Sequence, residues 1–507
     1  MFTLGQLNDM LFARKDIQTL LQEAGTNTDL RRSLSSSSLV LLGVGVIVGA
    51  GLFSLTGIAA AENAGPAVIL SFVIAAIGCM FAGLCYAEFA SMIPVAGSAY
   101  TYSYATLGEF AAWVIGWDLV LEYALGAATV SVSWSRYLVE ILVRHDLCFI
   151  PPELLCSPFE TLTLPNGVVV SGGAINLPAV LVIMVLSLLL LKGTRESAIA
   201  NTILVALKLS VVVAFIVAGW HYINPDNHQP FFIPNPGEQA VFDGTGSLWG
   251  FLKGDEFGHF GWSGILRGAA VVFFAFIGFD AVSTAAQEAR HPQKGMPIGI
   301  LGSLLVCTIL YVLFAYVMTG LAPYTEFLND AKPAATAIGH TPFRWLQDGI
   351  TIAILAGYTS VILVLLLGQS RVFYSMSRDG LLPRAFSDVH SRFRTPWKTN
   401  LFFMFFVSVF AGFVPIADLG HMVSIGTLFA FVLVCVGIII MRKTLPDAPR
   451  KFKTPLVPWV PLMGIVVCLI MMSSLPRESW ERLVIWMAIG IAVYFGYGRK
   501  HSKVGFS

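Results

Sequence analysis

The stretch GVGVIVGAGLF, residues 43–53, lies in one of the most apolar parts of the chain and carries Gly43, Gly45, Gly49 and Gly51. Glycine costs a helix roughly 1 kcal/mol relative to alanine, so these residues weaken a helix where lipid demands a complete one. Backbone N–H and C=O groups at mid-membrane depth must find partners within the protein. A glycine-rich break is therefore tolerated where it lines a cavity or a ligand, and glycines without a break serve as a seam for close helix packing. For this stretch taken alone, both readings stand.

The surrounding chain is a membrane protein by composition. Of its 507 residues, 56% are hydrophobic and 12% charged, against roughly 25% charged in soluble domains. Lys plus Arg number 31 and Asp plus Glu 30, so no basic field exists to attract nucleic acid. The first 35 residues are polar and end in DLRRSLSSSS. No short apolar core precedes a small-residue cleavage site, which argues against a removable signal peptide.

A hydrocarbon core needs about 20 apolar residues in a helix. Twelve such spans are predicted, near 38–60, 67–92, 109–142, 175–192, 199–220, 264–288, 298–321, 349–376, 400–415, 421–441, 457–474 and 482–498. With the N-terminus inside, 22 of the 31 Lys and Arg fall on the cytoplasmic side, eight fall outside, and Lys208 lies within a span. Positive charge concentrates on cytoplasmic loops, so both termini are expected in the cytoplasm. The chain divides into a cytoplasmic segment 1–35, a ten-helix core 36–441, two peripheral helices in 442–498 and a cytoplasmic tail 499–507. The expected location is the cell (inner) membrane, in a multi-pass arrangement.

A second interruption occurs in the sixth span, FFAFIGFDAVSTAAQEARHPQKGMPIGI at 273–300, where Gly278 lies close to Asp280. The first and sixth spans each open a block of five helices. Five is odd, so the second block crosses the membrane in the opposite sense, as in inverted-topology repeats. Paired interruptions in corresponding helices point to a transporter's binding site, which shifts the balance at 43–53 away from a mere seam. A half-helix starting near Ala50 and Gly51 aims N–H groups and a positive dipole end at an anion. Gly49 supplies backbone freedom beside it. Freed carbonyls near Ile47, Phe274 and Ile277 would accept from an ammonium group. A carboxylate and an ammonium one carbon apart describe an α-amino acid.

Five ordered motifs carry a family resemblance: GVGVIVGAGLF, YAEFASMIPVAGSAYTY at 86–102, FIGFDAVSTAAQEARHPQKGMPIGI at 276–300, RVFYSMSRDGLLP at 371–383 and RKFKTPLVPWVPLMGIVVCLIMMSSLP at 450–476. Together they resemble the amino acid/polyamine/organocation superfamily, and the last three its cationic amino acid transporter family, including bacterial members. The resemblance implies an all-α multi-pass membrane protein of twelve transmembrane helices. It implies a 5+5 inverted repeat with helices 1 and 6 broken, plus two peripheral helices. It places the substrate's carboxylate at Ala50 and Gly51, its amino group at carbonyls of Ile47, Phe274 and Ile277, and an aromatic gate at Phe274. Many eukaryotic members carry fourteen helices; twelve spans match the bacterial ones and weaken any transfer of strict arginine and lysine specificity.

The charges inside the spans need separate explanations. A lysine at a helix centre costs about 2.5–3.5 kcal/mol on insertion scales, so Lys208 is expected to face the bundle. In proton-coupled relatives a lysine on the fifth helix stands where sodium-coupled cousins hold an ion, bridging toward helices 1 and 8. That resemblance makes protons the expected coupling ion, with a structural cross-link as the alternative. Asp118 and Glu122 share a helical face. Glu122 matches an acidic residue of the cationic family and either attracts a basic side chain or balances Lys208; Asp118 reads as wetted or structural. Asp280 is assigned to gating or proton movement, and Glu88 to anchoring a loop as readily as to function. In the eighth span, a hydroxyl of Tyr358, Thr359 or Ser360 is placed to meet Lys208 or the substrate, with packing as the alternative.

The nine histidines fall in loops or at span ends without metal-ligand spacing, and no GxxxxGK[ST] sequence is present. These patterns argue against an intramembrane enzyme and against ATP-driven transport by this chain. The expectation is a secondary active transporter with no cofactor, taking up cationic or small neutral amino acids with protons. An exchanger of the same fold and a non-transporting amino acid sensor are the alternatives. Its partners are the amino acid and the lipid bilayer, with room for a small accessory membrane subunit. Cys148 and Cys156 flank FIPPELL in a loop, where a disulfide and two free thiols are equally compatible with the sequence.

Overall fold

A computed structural model describes residues 13–15, 34–93, 98–164, 166–192, 198–245, 247–280, 282–283, 289–328, 330, 332–393 and 395–503. Most of the 1–35 segment, parts of the 86–102 and 276–300 motifs and the end of the tail lie outside the described residues.

Each expected span corresponds to helix. In chain order these are α1 (Ser36–Ile47), α2 (Val68–Met92), α3 (Glu109–Arg144), α4 (Leu177–Lys192), α5 (Ala198–Trp220), α6 (Gly261–Val272), α7 (Pro292–Leu321), α8 (Arg344–Arg378), α9 (Trp397–Phe413), α10 (Ile416–Thr444), α11 (Trp459–Ser474) and α12 (Arg477–Val493). The first span continues past its break through Gly51–Leu55, Thr56–Ile58 and Ala59–Ala64. The serines before it have a structural purpose: the Ser35 side chain accepts from the Ser38 N–H at 3.2 Å, capping α1. Gly65, at φ 60°, then turns the chain into Pro66 and α2.

Burial sorts the helices into interior and rim. The most apolar stretch of α3 is 83% buried, whereas that of α5 is 33% buried and faces outward. α3 packs against α8 and α10, while α7 packs against α1 and α2. The chain bends by 114° between α11 and α12, and Trp117 of α3 stacks on Trp486 of α12 at 4.7 Å.

Beside the C-terminal end of α3, β1 (Thr161–Thr163) pairs antiparallel with β2 (Val169–Ser171). A short helix, Pro333–Gly339, packs on the part of the first span that follows its break. A Cβ on Gly57 would come within 2.4 Å of the Pro333 ring, so the two segments are in close contact there.

Candidate functional site

The break in the first span falls where the glycines lie. α1 ends at Ile47, Val48 is extended at φ −71° and ψ 104°, and its N–H still reaches the Val44 carbonyl. Helical turns resume at Ala50 (φ −61°, ψ −27°). The start of a helix leaves its first N–H groups without intrahelical partners, and here that start lies inside the bundle. In the sixth span, α6 tightens into a 3₁₀ turn at Phe273–Phe276, and Ile277 is extended at ψ 138°. Gly278 follows at φ 106°, a conformation that strains any residue with a side chain.

The two readings of the glycines divide along the chain. A Cβ on Gly43 would meet Ser303 at 2.6 Å, and one on Gly45 would meet Val205 at 2.1 Å. These two form a packing seam against the α7 and α5 side chains. Gly51 is different, because its Cβ would lie 2.2 Å from the Cα and 2.4 Å from the N of Ala275. The two broken spans touch backbone to backbone at that point. At Gly49 the nearest atom to a Cβ would be 3.6 Å away, on Val361, so a methyl group here would make an ordinary van der Waals contact.

A residue outside the expected set joins the breaks. The hydroxyl of Tyr311, on α7, lies 2.9 Å from the Ile47 carbonyl and 2.9 Å from the Ala275 carbonyl. One proton serves both carbonyls, and each retains a lone pair. Tyr311 is fully buried, packed between Phe72 and Phe276. Its sequence signal was weak: it is one of five hydroxyl side chains on α7, with Ser303, Thr308, Tyr316 and Thr319. The carbonyl of Phe274 accepts from the Ile277 N–H at 3.2 Å; Phe274 and Ile277 are 6% and 8% exposed.

Lys208 reaches the same break from α5. Its Nζ donates to the Gly45 carbonyl at 2.8 Å, two residues before the end of α1. Its stem lies on Gly357 of α8, where a Cβ would stand 3.1 Å from Lys208 Cγ. Lys208 therefore bridges spans 1, 5 and 8 from a buried position.

The acids form two groups. Asp280 accepts from the Tyr123 hydroxyl of α3 at 2.8 Å, and Glu122 is buried on the same helix with its Oε1 lacking a hydrogen-bond partner. Asp118 is fully buried against Gly426, and neither carboxyl oxygen has a hydrogen-bond partner among the described residues. Glu88 is a loop anchor: Arg442 grips both its oxygens at 2.8 and 2.9 Å, and the Thr454 N–H adds a third bond at 2.8 Å.

A family model described as amino acid permease matches residues 34–494. The chain belongs to the amino acid permease family. It is similar to the branched-chain amino acid permease BcaP of Bacillus subtilis, 42% identical over 97% of this chain and 99% of that protein. It is also similar to the methylthioribose transporter of Bacillus subtilis, 39% identical over 97% of this chain and 98% of the relative. The vacuolar cationic amino acid transporter 4 of Arabidopsis thaliana is 35% identical over 86% of this chain and 68% of its own length. The chain is an integral membrane permease and not an enzyme.

The permease's remaining candidate residues lie on α8, where Tyr358 packs on the part of the first span that follows the break. Tyr358 shares a hydrogen bond with Ser54 at 3.0 Å and packs near Phe53 and Tyr137. Thr359 accepts from the Trp134 indole at 3.1 Å and donates to the Leu355 carbonyl at 2.8 Å. On α8, Gly357 takes the Lys208 stem, and the Tyr358 and Thr359 hydroxyls hold the bonds just given. Tyr137 donates to the Phe53 carbonyl at 2.6 Å, closing the aromatic layer above the break. Cys148 and Cys156 are free thiols beside one small apolar cluster.

Proposed function

We propose that the permease takes up α-amino acids with protons by alternating access, binding them between the two broken spans. The observation that carries the coupling is the bond from Lys208 Nζ to the Gly45 carbonyl. A charged donor makes a hydrogen bond roughly twice as strong as a neutral one. Loading a proton on Lys208 tightens its hold on the inner half of span 1, and releasing it loosens that hold. The bound amino acid's carboxylate meets the N–H groups of Gly49, Ala50 and Gly51. Its ammonium takes the remaining lone pairs of the carbonyls at Ile47, Phe274 and Ile277.

The side chain preference we assign is neutral and aliphatic. Gly49 faces the aliphatic side chain of Val361, and Phe274 and Ile277 are apolar. The branched-chain relatives are consistent with this preference. Glu122 and Asp280 act as proton-handling groups, with Asp280 held by the Tyr123 hydroxyl next to Glu122 on α3. The permease sits in a bacterial cell membrane with both termini in the cytoplasm.

The test is uptake into liposomes holding the purified permease, with labelled leucine, arginine and methylthioribose, with and without an inward proton gradient. Leucine accumulation that requires the gradient supports the reading. Leucine uptake indifferent to the gradient but driven by preloaded amino acid replaces it with exchange. Uptake of methylthioribose without leucine replaces the substrate.

A further inference from the structure

Two buried tyrosines tie the part of span 1 that follows the break to its neighbours. Tyr137 of α3 donates to the Phe53 carbonyl at 2.6 Å, and the Tyr358 hydroxyl of α8 shares a hydrogen bond with Ser54 at 3.0 Å. Phe53 and Ser54 are consecutive and stand one turn beyond Ala50 and Gly51. The backbone here is a π turn over Gly51–Leu55, a geometry found mostly as single turns at functional sites. Side chains complete its bonding elsewhere too, since the Thr56 hydroxyl lies 3.1 Å from the Gly51 carbonyl and 2.7 Å from the Leu52 carbonyl.

Aromatic rings close the space around the two bonds. Phe53 meets Phe314 of α7 edge-on at 5.6 Å, Phe314 stacks on Phe215 of α5 at 4.3 Å, and the Tyr137 and Tyr358 rings meet edge-on at 5.7 Å. Phe53, Ser54, Tyr137, Tyr358 and Phe314 are each 2% exposed or less, so the layer is shut in this structure. Its place relative to the break follows from α8. Val361 faces Gly49, while Tyr358, one turn earlier on α8, meets Ser54, which comes later in span 1. The two elements run antiparallel here, and the Ser54–Tyr358 pair covers the Gly49–Val361 pair from one side.

We infer that Tyr137 and Tyr358 are the latches of the permease's outer gate. With the termini in the cytoplasm, the segment after the break leads outward. Alternating access then requires that segment to part from α3 and α8 before a substrate can enter. Neutral hydroxyl bonds suit this duty, because each biases the closed state by only about five-fold. A buried ion pair in their place would leave two unpaired charges at every opening. The inference rests on the reading of the break as the binding site.

The experiment follows labelling of Val361→Cys, whose thiol faces Gly49, by a membrane-impermeant maleimide added outside right-side-out vesicles from the expressing cells. Peptide mass spectrometry separates this thiol from the native cysteines. Tyr137→Phe and Tyr358→Phe are each expected to speed labelling about five-fold. Ser54→Ala, a smaller change, should match Tyr358→Phe, with no further gain when the two are combined. A tyrosine with a merely structural role would lower the yield of folded protein and leave this rate alone. An unchanged rate in both tyrosine variants, or acceleration only when the reagent is on the side of the termini, overturns the gate. Leucine that slows labelling of Val361→Cys in that event leaves the binding site between the broken spans standing, and labelling indifferent to leucine counts against both.

Discussion

Replacing Gly51 by alanine tests the backbone contact on which the site depends. The added Cβ would stand 2.2 Å from Ala275 Cα and 2.4 Å from Ala275 N, well inside the 3.5–4.0 Å at which carbon atoms pack. Those are main-chain atoms, so no side chain can rotate away and the two broken spans must separate by about an ångström. Overpacking of this kind costs roughly 1–3 kcal/mol, which corresponds to about a 5- to 150-fold loss of affinity if the strain falls on the bound conformer. The control is Gly49→Ala, whose Cβ would meet Val361 at an ordinary 3.6 Å. The assay is equilibrium leucine binding to purified protein, with a monodisperse size-exclusion profile as the check on folding. Gly51→Ala is expected to fold and bind weakly, and Gly49→Ala to bind within a few-fold of wild type. Normal affinity in Gly51→Ala would refute the reasoning.

Other perturbations address the groups around the break. Tyr311→Phe removes the proton shared by the Ile47 and Ala275 carbonyls and is expected to cost about 1–2 kcal/mol, read as a lower melting temperature and slower uptake. Gly278→Ala forces a side chain onto φ 106° and toward Val46, 2.7 Å away; uptake should fall at least ten-fold, and retention of full uptake counts against a fixed break in span 6. Glu88→Gln weakens the clasp on Arg442 and Arg450, leaving partly buried cations unpaired at a cost of about 3–5 kcal/mol. Less folded protein should be recovered from membranes, while the fraction that folds binds leucine normally.

How much of this was legible in the sequence varied with the kind of interaction. Helix breaks announce themselves locally, so the glycines of 43–53 and Gly278 marked both interruptions. Lys208 was conspicuous because a cation in an apolar span is costly. The separate duties of Gly43, Gly45, Gly49 and Gly51 were not legible, because they depend on which neighbour each faces: Ser303, Val205, Val361 or Ala275. Tyr311 escaped notice for a related reason. Its acceptors lie 264 and 36 residues away in the chain, and a tyrosine in an apolar helix has no spacing that reveals them. Gly357, on which the Lys208 stem lies, was not singled out, since a close approach there depends on a missing side chain. Asp118 was read as wetted or structural from its position near a span end, and only the packing of α3 against α10 shows that it is enclosed.

An inward gradient of one pH unit with 100 mV supplies about 3.7 kcal/mol per proton and positive charge, enough for roughly 500-fold accumulation of a neutral substrate. Whether that energy enters through Lys208 is measured by the pH inside liposomes holding the permease. A trapped pH-sensitive dye is followed as leucine is added outside with no gradient imposed. Acidification of the lumen that accompanies leucine entry, and that disappears in Lys208→Ala while some leucine binding persists, is the expected result. Leucine entry with no change in internal pH, or acidification undiminished in Lys208→Ala, would contradict it.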